Sequence, residues 1–387
     1  MLARLRFPVQ HSLGRRYPEP EHPYRNAFQR DRDRIVHARA FRRLEAKTQV
    51  FTPGLSDHFR NRLTHTIEVS QIARTVASVL GLDEDLTEAL ALVHDIGHPP
   101  FAHAGEDELN RQMGRFGDRF DHNLHALRIV EKFEQRYARF PGLNLTFEVR
   151  EGMAKHSRDF APGEVPELDE YLPGKRPPLE AQLIDLTDEI AYNTADLDDA
   201  FSAHLLTPEE IAAQVPAYAA IHETIETQFP GAAPREKFHE ALRQLIDALV
   251  SGLVEGTVVS AKTSGVQSID EIREYPRRLA AFTGAAAAAS RELKSFLHRC
   301  VYASPALEED RRNSTAMMAD LFQFFLDHIE RLPDPYGDMA KTEPAHRVVC
   351  DYIAGMTDSF FHRTYEQMIG PYSSTAVKFD TSAERTP

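Results

Sequence analysis

The sequence predicts an all-α protein, and three observations support this class. Apolar residues recur at helical spacing along most of the 387 residues. No stretch alternates convincingly between apolar and polar residues, as a half-buried strand would. The alanine run after Gly284 and the apolar run from Met317 to Leu326 are both typical of helices. An all-α architecture follows, with a helical core and an associated C-terminal helical region.

Composition narrows the class of protein further. With 42% hydrophobic residues, the chain can bury a sizeable core, and its length fits one large domain or a core domain with a companion. The two cysteines, Cys300 and Cys350, form neither a CxxC motif nor a disulfide-like pattern. No apolar segment of the signal-peptide or membrane-spanning type is found. We therefore expect a cytoplasmic protein without a membrane partner.

Charge is unevenly distributed in this acidic chain. The formal net charge of -14 argues against general adhesion to nucleic acid or anionic membranes. Residues 25–47, in contrast, hold eight basic side chains against three acidic ones, and Arg43 and Lys47 lie near the end of this stretch. A small anionic ligand held at one place is one interpretation, and a solvated helix face is the other.

The predicted elements can be justified in chain order. Residues 1–24 are rich in proline and polar residues, which predicts an arm or loop. The later elements are one or two helices over 26–51, a break at Pro53-Gly54, a helix from His65 to Gly81, a helix from Asp83 to about Gly97, helices from about Gly105 and from Phe120, a long loop over 157–178, one helix over 179–206, and helices from Pro208 to about residue 370. Gly81 is the expected C-cap of its helix, and Asp83 is the expected N-cap of the next.

A polar cluster lies where the helix that follows Asp83 ends. The thirteen residues from His94 to Glu106 contain three histidines, two carboxylates, two glycines and two prolines. His94 lies one helical turn after an apolar residue of that helix, and His65 lies one turn before the apolar stripe of the preceding helix. Both histidines should therefore face the core. A lone inward histidine is more often a hydrogen-bonded core residue, so the pair alone does not establish a site.

Inward imidazoles and carboxylates on separate helices predict a metal site. The candidate ligands are His65, His94, Asp95 and Asp188. Burying an unpaired ionised carboxylate is costly or forces the carboxylate to become neutral, and one divalent metal ion removes that cost. This mixed nitrogen and oxygen set suits Mn, Fe, Mg, Ni or Zn. Spacing alone leaves Asp185 and Glu189 as competitors of Asp188.

An ordered set of motifs runs through most of the chain. They are FQRDRDRI at 28–35, AFRRL at 40–44, KTQVF at 47–51, RLTH at 62–65, HDIGHPPF at 94–101, FDHN at 120–123, LRIV at 127–130, KHS at 155–157, DLTDEIAY at 185–192 and DYIAGMTD at 351–358. A bare His-Asp pair is a weak signal, but this set resembles the HD-domain deoxynucleoside triphosphate (dNTP) triphosphohydrolases, the dGTPase-like family. The resemblance implies an N-terminal arm (1–24), a helical HD core (25–206) and an associated helical region that packs on the core (207–387).

The resemblance implies roles for individual residues. The four candidate ligands match the metal ligands of the family, which favours Asp188 over its two competitors. Residues that match positions near the metal and the triphosphate are His98, His103, Glu106, His122 and Arg62. Residues that match contacts to the deoxyribose are Gln49, Tyr192 and Asp196, the last two at i+4 and i+8 from Asp188. Arg43 and Lys47 are candidates for holding the triphosphate.

Two departures from the family pattern concern the acid chemistry. Some members have Asn where this chain has His98, and Glu is commoner than Asp121 before the histidine at 122. His98 is therefore placed near the phosphates without an assigned step. His103, in a pair with Glu106, and His122 are the candidates for protonating the leaving group.

The implied reaction is hydrolysis of a dNTP to the deoxynucleoside and inorganic triphosphate. One divalent metal ion would be the cofactor, with Mg or Mn favoured for activity. The implied partners are the dNTP substrate, a dNTP effector at a separate site, and further copies of the chain in a homo-oligomer, with hexamers among the family's assemblies. Two alternatives stay open: another HD-domain nucleotide phosphohydrolase, and a nucleotide sensor or single-stranded nucleic acid binder with a vestigial site.

Overall fold

The structure, a computed structural model, describes residues 1–50 and 59–370. Within these ranges the regular structure is helical, and β-pairing is limited to isolated bridges such as Thr48 with Asn61. The all-α prediction is therefore confirmed. The break expected at Pro53-Gly54 lies outside the described residues, as do residues 371–387 of the predicted C-terminal region.

Helices α1 to α8 build the part of the fold that carries the polar cluster. They are α1 (Ala27–His37), α2 (Arg39–Arg43), α3 (Arg62–Leu80), α4 (Glu84–Val93), α5 (Ala102–Gly114), α6 (His122–Arg128), α7 (Phe147–Ala154) and α8 (Leu179–Ser202). The order agrees with the predicted elements except for α7. All residues of α7 are buried, including Glu148, Arg150 and Glu151, so its polar residues do not mark an exposed face from which a helical period could be recognised.

Local sequence signals set the ends of the helices around the site. Asn61 caps α3 by accepting a hydrogen bond from the backbone N–H of Thr64. Asp83 caps α4 by accepting from the backbone N–H of Leu86 at 2.9 Å, as predicted. Gly81 ends α3 with a φ of 81°, a left-handed conformation in which glycine has no Cβ to clash. These caps determine where α3 begins and ends and where α4 begins.

Helices α3, α4 and α8 pack against one another and bring the candidate ligands together. Their contact surface is made of fully buried aliphatic side chains such as Val69, Val76 and Ile190. Burying each side chain of this kind stabilises the fold by about 1.5–3 kcal/mol. The polar cluster therefore lies on a rigid three-helix scaffold.

The remaining helices form the C-terminal half of the described chain. They are α9 (Pro208–Gln214), α10 (Pro216–Gln228), α11 (Pro234–Ser264), α12 (Ile269–Glu274), α13 (Gly284–Leu297), α14 (Pro305–Asp327), α15 (Tyr336–Met339), α16 (Ala345–Ala354) and α17 (Asp358–Met368). A second buried apolar cluster joins Leu109 of α5 to Phe322 of α14 and Val349 of α16. Helix α5, which directly follows the polar loop, is thus packed against C-terminal helices. The domain boundary at residue 206 stays a prediction.

Helix α11 has the length and composition of a membrane-spanning helix. In the structure it lies against α8, α10 and α13, and it buries Leu245, Leu249 and Leu253 in the main apolar cluster. An apolar helix in the interior of a helical protein has the same composition, so this feature is weak evidence for a membrane segment.

The N-terminal arm is packed on the core. Residues 1–24 contain two short 3-10 turns, as expected for a loop, but Leu2, Leu5 and Phe7 are buried. The backbone N–H of Leu2 donates to the carbonyl of Leu80 at 2.6 Å. The backbone N–H of Phe7 donates to the buried carboxyl of Glu180 at 2.9 Å. The arm therefore covers the ends of α3 and α8.

The loop between α4 and α5 is held tightly in place. A Cβ at Gly97 would lie 2.0 Å from the carbonyl oxygen of His122, so only glycine allows α6 to approach this closely. Phe101 and Ala102 both have left-handed φ values, 63° and 53°, a conformation that costs free energy for residues with a side chain. The strained turn begins α5 at Ala102, close to the Gly105 start expected from the sequence.

Candidate metal and hydrolase site

His65 and Asp188 are brought together by α3 and α8. His65 lies in the first turns of α3 and is buried, and its Nε2 lies 2.8 Å from Oδ1 of Asp188. Burial alone would raise the pKa of Asp188, but hydrogen bonds and charges from His65 and His94 outweigh burial and lower it. Asp188 is therefore an ionised carboxylate, and its side chain is 21% exposed.

His94 and Asp95 directly follow α4. Nδ1 of His94 lies 2.6 Å from the carbonyl oxygen of Ala91, which places the proton on that nitrogen. Nε2 of His94 then faces two carboxylates, 3.6 Å from Oδ1 of Asp95 and 3.7 Å from Oδ1 of Asp188. Burial lowers the pKa of His94, but Asp95 and Asp188 outweigh burial and raise it to about 9. The two carboxylates thus attract a cation to this point.

The four side chains fit a divalent metal ion. Nε2 of His94 is buried and has no hydrogen-bond partner in the part of the chain that the structure describes. Donor atoms of His65, His94 and Asp188 lie within 4.8 Å of one another, and Asp95 borders them. Two imidazoles and two carboxylates are common ligands of divalent transition metals. These groups could therefore hold a metal ion between α3, α4 and α8.

The structure separates Asp188 from its two competitors on α8. Asp185 accepts a hydrogen bond from Arg278, and its Oδ1 lies 2.8 Å from Nδ1 of His156. Glu189 accepts a hydrogen bond from the hydroxyl of Ser290. Both competitors therefore have other partners, and Asp188 is the carboxylate of the three that faces His65.

Glu106 of α5 joins three histidines beside the metal-binding group. Its Oε1 lies 2.6 Å from Nδ1 of His122, and its Oε2 lies 3.6 Å from Nδ1 of His103. Burial would raise the pKa of Glu106, but the hydrogen bonds of His103 and His122 lower it. Burial likewise lowers the pKa of His122, and Glu106 outweighs it and raises that pKa. Glu106 and His122 therefore form a paired carboxylate and imidazole, in which His122 keeps its proton to a higher pH than an ordinary histidine.

His98 connects this pair to the metal-binding group. Its Nε2 lies 3.0 Å from Oδ1 of Asp95, and its ring stacks on the ring of His122 with centroids 4.0 Å apart. Burial and the nearby Arg62 hold the pKa of His98 well below its usual range. His98 is thus a neutral imidazole in contact with both halves of the site.

Arg62 is the basic residue that lies within the site. Its Nη1 donates to Oδ2 of Asp95 at 2.7 Å, and the side chain is buried. Gln49, the predicted deoxyribose contact, is half-buried, and its Oε1 has no hydrogen-bond partner among the described residues. Both side chains keep polar atoms available for a ligand: Nε of Arg62 is also without a partner in the described ranges.

The sequence predicts that Arg43 and Lys47 hold the triphosphate. In the structure both donate hydrogen bonds to backbone carbonyls. Nζ of Lys47 is buried and donates to the carbonyls of His98 and Ala354. Arg43 donates to the carbonyl of Gly355 at 2.9 Å. Both line a cavity of about 440 Å³, whose wall includes Tyr336. Lys47 therefore connects the polar loop to the C-terminal helices, and Arg43 contacts the end of α16. The basic pattern of residues 25–47 could not indicate these contacts.

Tyr192 and Asp196 extend the site along α8. The carboxyl of Asp196 accepts a hydrogen bond from the hydroxyl of Tyr302. Burial raises the pKa of Asp196 to about 7, although Tyr302 opposes that effect. Nζ of Lys294 lies 5.6 Å from the ring centre of Tyr192, within cation–π range. A polar wall with two aromatic rings thus continues from Asp188 toward α13.

Three residues near the site were given no individual role from the sequence. Tyr302 and Arg278 come from the C-terminal half and contact Asp196 and Asp185. The ring of His156 lies 5.3 Å from that of His94. The motif at 155–157 was the only sequence signal for His156, and no spacing rule links Tyr302 or Arg278 to α8.

Two models of known protein families match parts of this chain. The HD domain model matches residues 62–193, which contain the four candidate ligands. A phosphohydrolase-associated domain model matches residues 280–367, which contain Tyr302.

Similar proteins extend over nearly the whole chain. A deoxyguanosinetriphosphate triphosphohydrolase-like protein of Geobacter sulfurreducens is 42% identical over 363 residues, which cover 93% of each chain. Proteins of the same name from Azoarcus sp. and Ralstonia nicotianae are 42% and 44% identical, over 92% and 90% of this chain and 93% and 89% of theirs. The chain therefore belongs to the family of deoxyguanosinetriphosphate triphosphohydrolase-like proteins, with an HD domain and a phosphohydrolase-associated domain.

Proposed function

We propose that this protein is a metal-dependent dNTP triphosphohydrolase, which releases the deoxynucleoside and intact inorganic triphosphate. One observation carries the proposal: a largely buried set of residues that could bind a metal lies directly beside a carboxylate–imidazole pair, Glu106 with His122. Hydrolysis of a phosphate ester needs both a cation near the phosphorus and a proton for the leaving oxygen. Members of the family also carry this activity in their name.

The metal-binding residues would act on the α-phosphate. His65, His94, Asp95 and Asp188 would hold one divalent ion, for which Mg or Mn is our expectation among Mg, Mn, Fe, Ni and Zn. When bound, such an ion neutralises charge on a phosphoryl oxygen and lowers the pKa of a water molecule. Arg62 would bind the phosphates, since its partner Asp95 leaves Nε of the guanidinium unpaired.

His122 is our candidate for the proton donor. The leaving 5′-oxygen would depart as an alkoxide, which is a poor leaving group unless it is protonated. Glu106 raises the pKa of His122, so this imidazole holds a proton to a higher pH than an ordinary histidine. His103, whose side chain is 82% exposed, is the second candidate. His98 contacts Asp95 and His122 and so links the two halves of the site.

The residues along α8 would bind the nucleoside. Tyr192 and Asp196, together with Gln49, would contact the deoxyribose. The buried hydrogen bond from Tyr302 orients Asp196, and an oriented carboxyl can distinguish sugar hydroxyls because an unmatched buried group is costly. A homo-oligomer, a separate dNTP effector and a cytoplasmic location remain part of this proposal as expectations from the family.

Product analysis tests the proposal. The metal-loaded protein is incubated with each of the four dNTPs in the presence of Mn²⁺ or Mg²⁺, and the products are separated by anion-exchange chromatography. Deoxynucleoside plus triphosphate is the expected result, and Asp95→Ala is the inactive control. Deoxynucleoside monophosphate plus pyrophosphate would refute the cleavage position. Salt-sensitive binding of single-stranded DNA without any turnover would favour a binding protein with a vestigial site.

A further inference from the structure

A second group of possible metal donors lies beside the first. Donor atoms of His98, His103 and Glu106 lie within 4.8 Å of one another. Oε2 of Glu106 lies 4.0 Å from Nδ1 of His98 and 3.6 Å from Nδ1 of His103. None of these residues belongs to the set His65, His94, Asp95 and Asp188. The group therefore calls for a separate explanation.

His98 is oriented as a metal-binding histidine usually is. Its Nε2 lies 3.0 Å from a carboxylate oxygen of Asp95. A histidine that binds metal through one ring nitrogen commonly donates the other N–H to a carboxylate, which fixes the tautomer and leaves a lone pair on the metal side. Nδ1 of His98 is buried, and no described residue forms a hydrogen bond with it. The oxygen Oε2 of Glu106 lies 4.0 Å from this nitrogen.

Glu106 can contact His122 through one carboxylate oxygen and bind a cation through the other at the same time. Its Oε1 is occupied by His122, whereas its Oε2 lies 4.0 Å from Nδ1 of His98 and 3.6 Å from Nδ1 of His103. A cation at about 2.0–2.2 Å from each donor requires the three donors to move together by a few tenths of an ångström. His103 can make this adjustment, because its side chain is 82% exposed.

We propose that His98, His103 and Glu106 bind a second divalent transition-metal ion, separate from the ion expected between α3, α4 and α8. Two imidazole nitrogens and one carboxylate oxygen suit Mn²⁺, Co²⁺, Ni²⁺ or Zn²⁺ better than Mg²⁺ or Ca²⁺, which prefer oxygen ligands alone. The open side of the site, next to the exposed His103, leaves coordination positions for water or a phosphate oxygen. The inference goes beyond the proposed reaction, since metal binding is measured without substrate.

Metal content tests the second site. The full chain is stripped with a chelator, reloaded with Mn²⁺ or Co²⁺ and desalted, and bound metal is measured by mass spectrometry. We expect two ions per chain in the wild type, and one in His103→Ala and in Glu106→Gln. Asp188→Asn should lose the other ion and keep this one. His37→Ala, which changes an exposed histidine away from the site, should retain both.

Two results would overturn the inference. The first is a single ion in the wild type that Asp188→Asn abolishes. The second is two ions that persist in both His103→Ala and Glu106→Gln. The far-ultraviolet circular dichroism of each variant checks its fold, and the exposed position of His103 makes its loss harmless to packing. Triphosphate release by a chain with one ion would refute only the second site, whereas two ions without turnover would refute only the proposed reaction.

Discussion

Nε2 of His98 lies 3.0 Å from Oδ1 of Asp95, so one buried contact joins the metal-binding residues to the group around Glu106. Because both partners are almost fully buried, water does not screen this contact. A change at His98 or Asp95 itself should therefore affect both halves of the site.

The first prediction distinguishes two carboxylates on α8. Asp188→Asn should reduce the affinity for Mn²⁺ at the four-residue set by roughly 100-fold or more, since even partners of metal ligands contribute 10–100-fold. Asp185→Asn is the matched control: Asp185 is held by Arg278 and His156 and should leave this affinity within a few-fold. Calorimetric titration measures both. Equal losses in the two variants would contradict the ligand assignment.

The second prediction concerns the pH dependence of turnover. Glu106 raises the pKa of His122, so the imidazolium is present below that raised pKa and is lost as the pH increases through it. If His122 donates the proton, kcat should fall on the alkaline side. His122→Asn should lower kcat by about 10²–10⁴-fold and remove this alkaline decrease. An unchanged alkaline limb in His122→Asn would assign the limb to another group, with His103 as the next candidate.

The third prediction concerns the hydrogen bond between Tyr302 and Asp196. Tyr302→Phe removes the donor and leaves the buried carboxyl of Asp196 without it, at a cost of about 1–2 kcal/mol in the bound complex. We expect KM for dNTPs to rise roughly 5- to 30-fold with a smaller effect on kcat. Tyr352→Phe, which removes a hydroxyl from the wall of the cavity that Arg43 and Lys47 line, is the control. An unchanged KM in Tyr302→Phe would show that Asp196 does not need this donor.

Much of the helical core could be predicted because its signals are local. Asp83 and Gly81 act as caps within one turn of their own positions, and apolar spacing correctly predicted that His65 and His94 face inward. Helix α7 was missed because burial on every side removes the period that identifies an amphipathic helix.

The parts of the site that could not be predicted depend on contacts between distant segments. Spacing left three carboxylates of α8 as alternatives, and the contact of Arg278 with Asp185 separates them. Lys47 lies in a basic stretch that suggested a phosphate contact, yet its neighbour in space is Ala354. Charge patterns show where cations are in the chain, whereas tertiary packing decides which acceptors they meet.

The fourth prediction follows from the position of Lys47. Lys47→Met removes hydrogen bonds to the carbonyls of His98 and Ala354 and leaves buried acceptors unpaired, which should destabilise the fold by roughly 1–3 kcal/mol. A shift of the His98 backbone should lower kcat, while KM changes little. Arg42→Met, an exposed change in the same basic stretch, is the control. A large increase in KM without a lower Tm would instead support direct contact with the triphosphate.

The fifth prediction links the N-terminal arm to pH. Glu180 accepts hydrogen bonds from the backbone N–H groups of Phe7 and Asp83, but burial outweighs them and raises its pKa from 4.5 to about 7. The folded state therefore keeps a proton that the unfolded chain releases, so this group makes the free energy of unfolding fall as the pH rises from about 4.5 to about 7. At 1.36 kcal/mol per pKa unit, the loss is roughly 3 kcal/mol.

Glu180→Gln should remove this pH dependence, because an amide oxygen can accept the same two hydrogen bonds without ionising. Urea unfolding at pH 5 and pH 8 measures the free energy of unfolding of both proteins. We expect the variant to gain stability relative to the wild type at pH 8, and Glu223→Gln, an exposed change, to leave the difference between the two pH values unaltered. If the wild type and Glu180→Gln lose stability equally between pH 5 and pH 8, the proton is held elsewhere, and the contact between the arm and α8 does not depend on it.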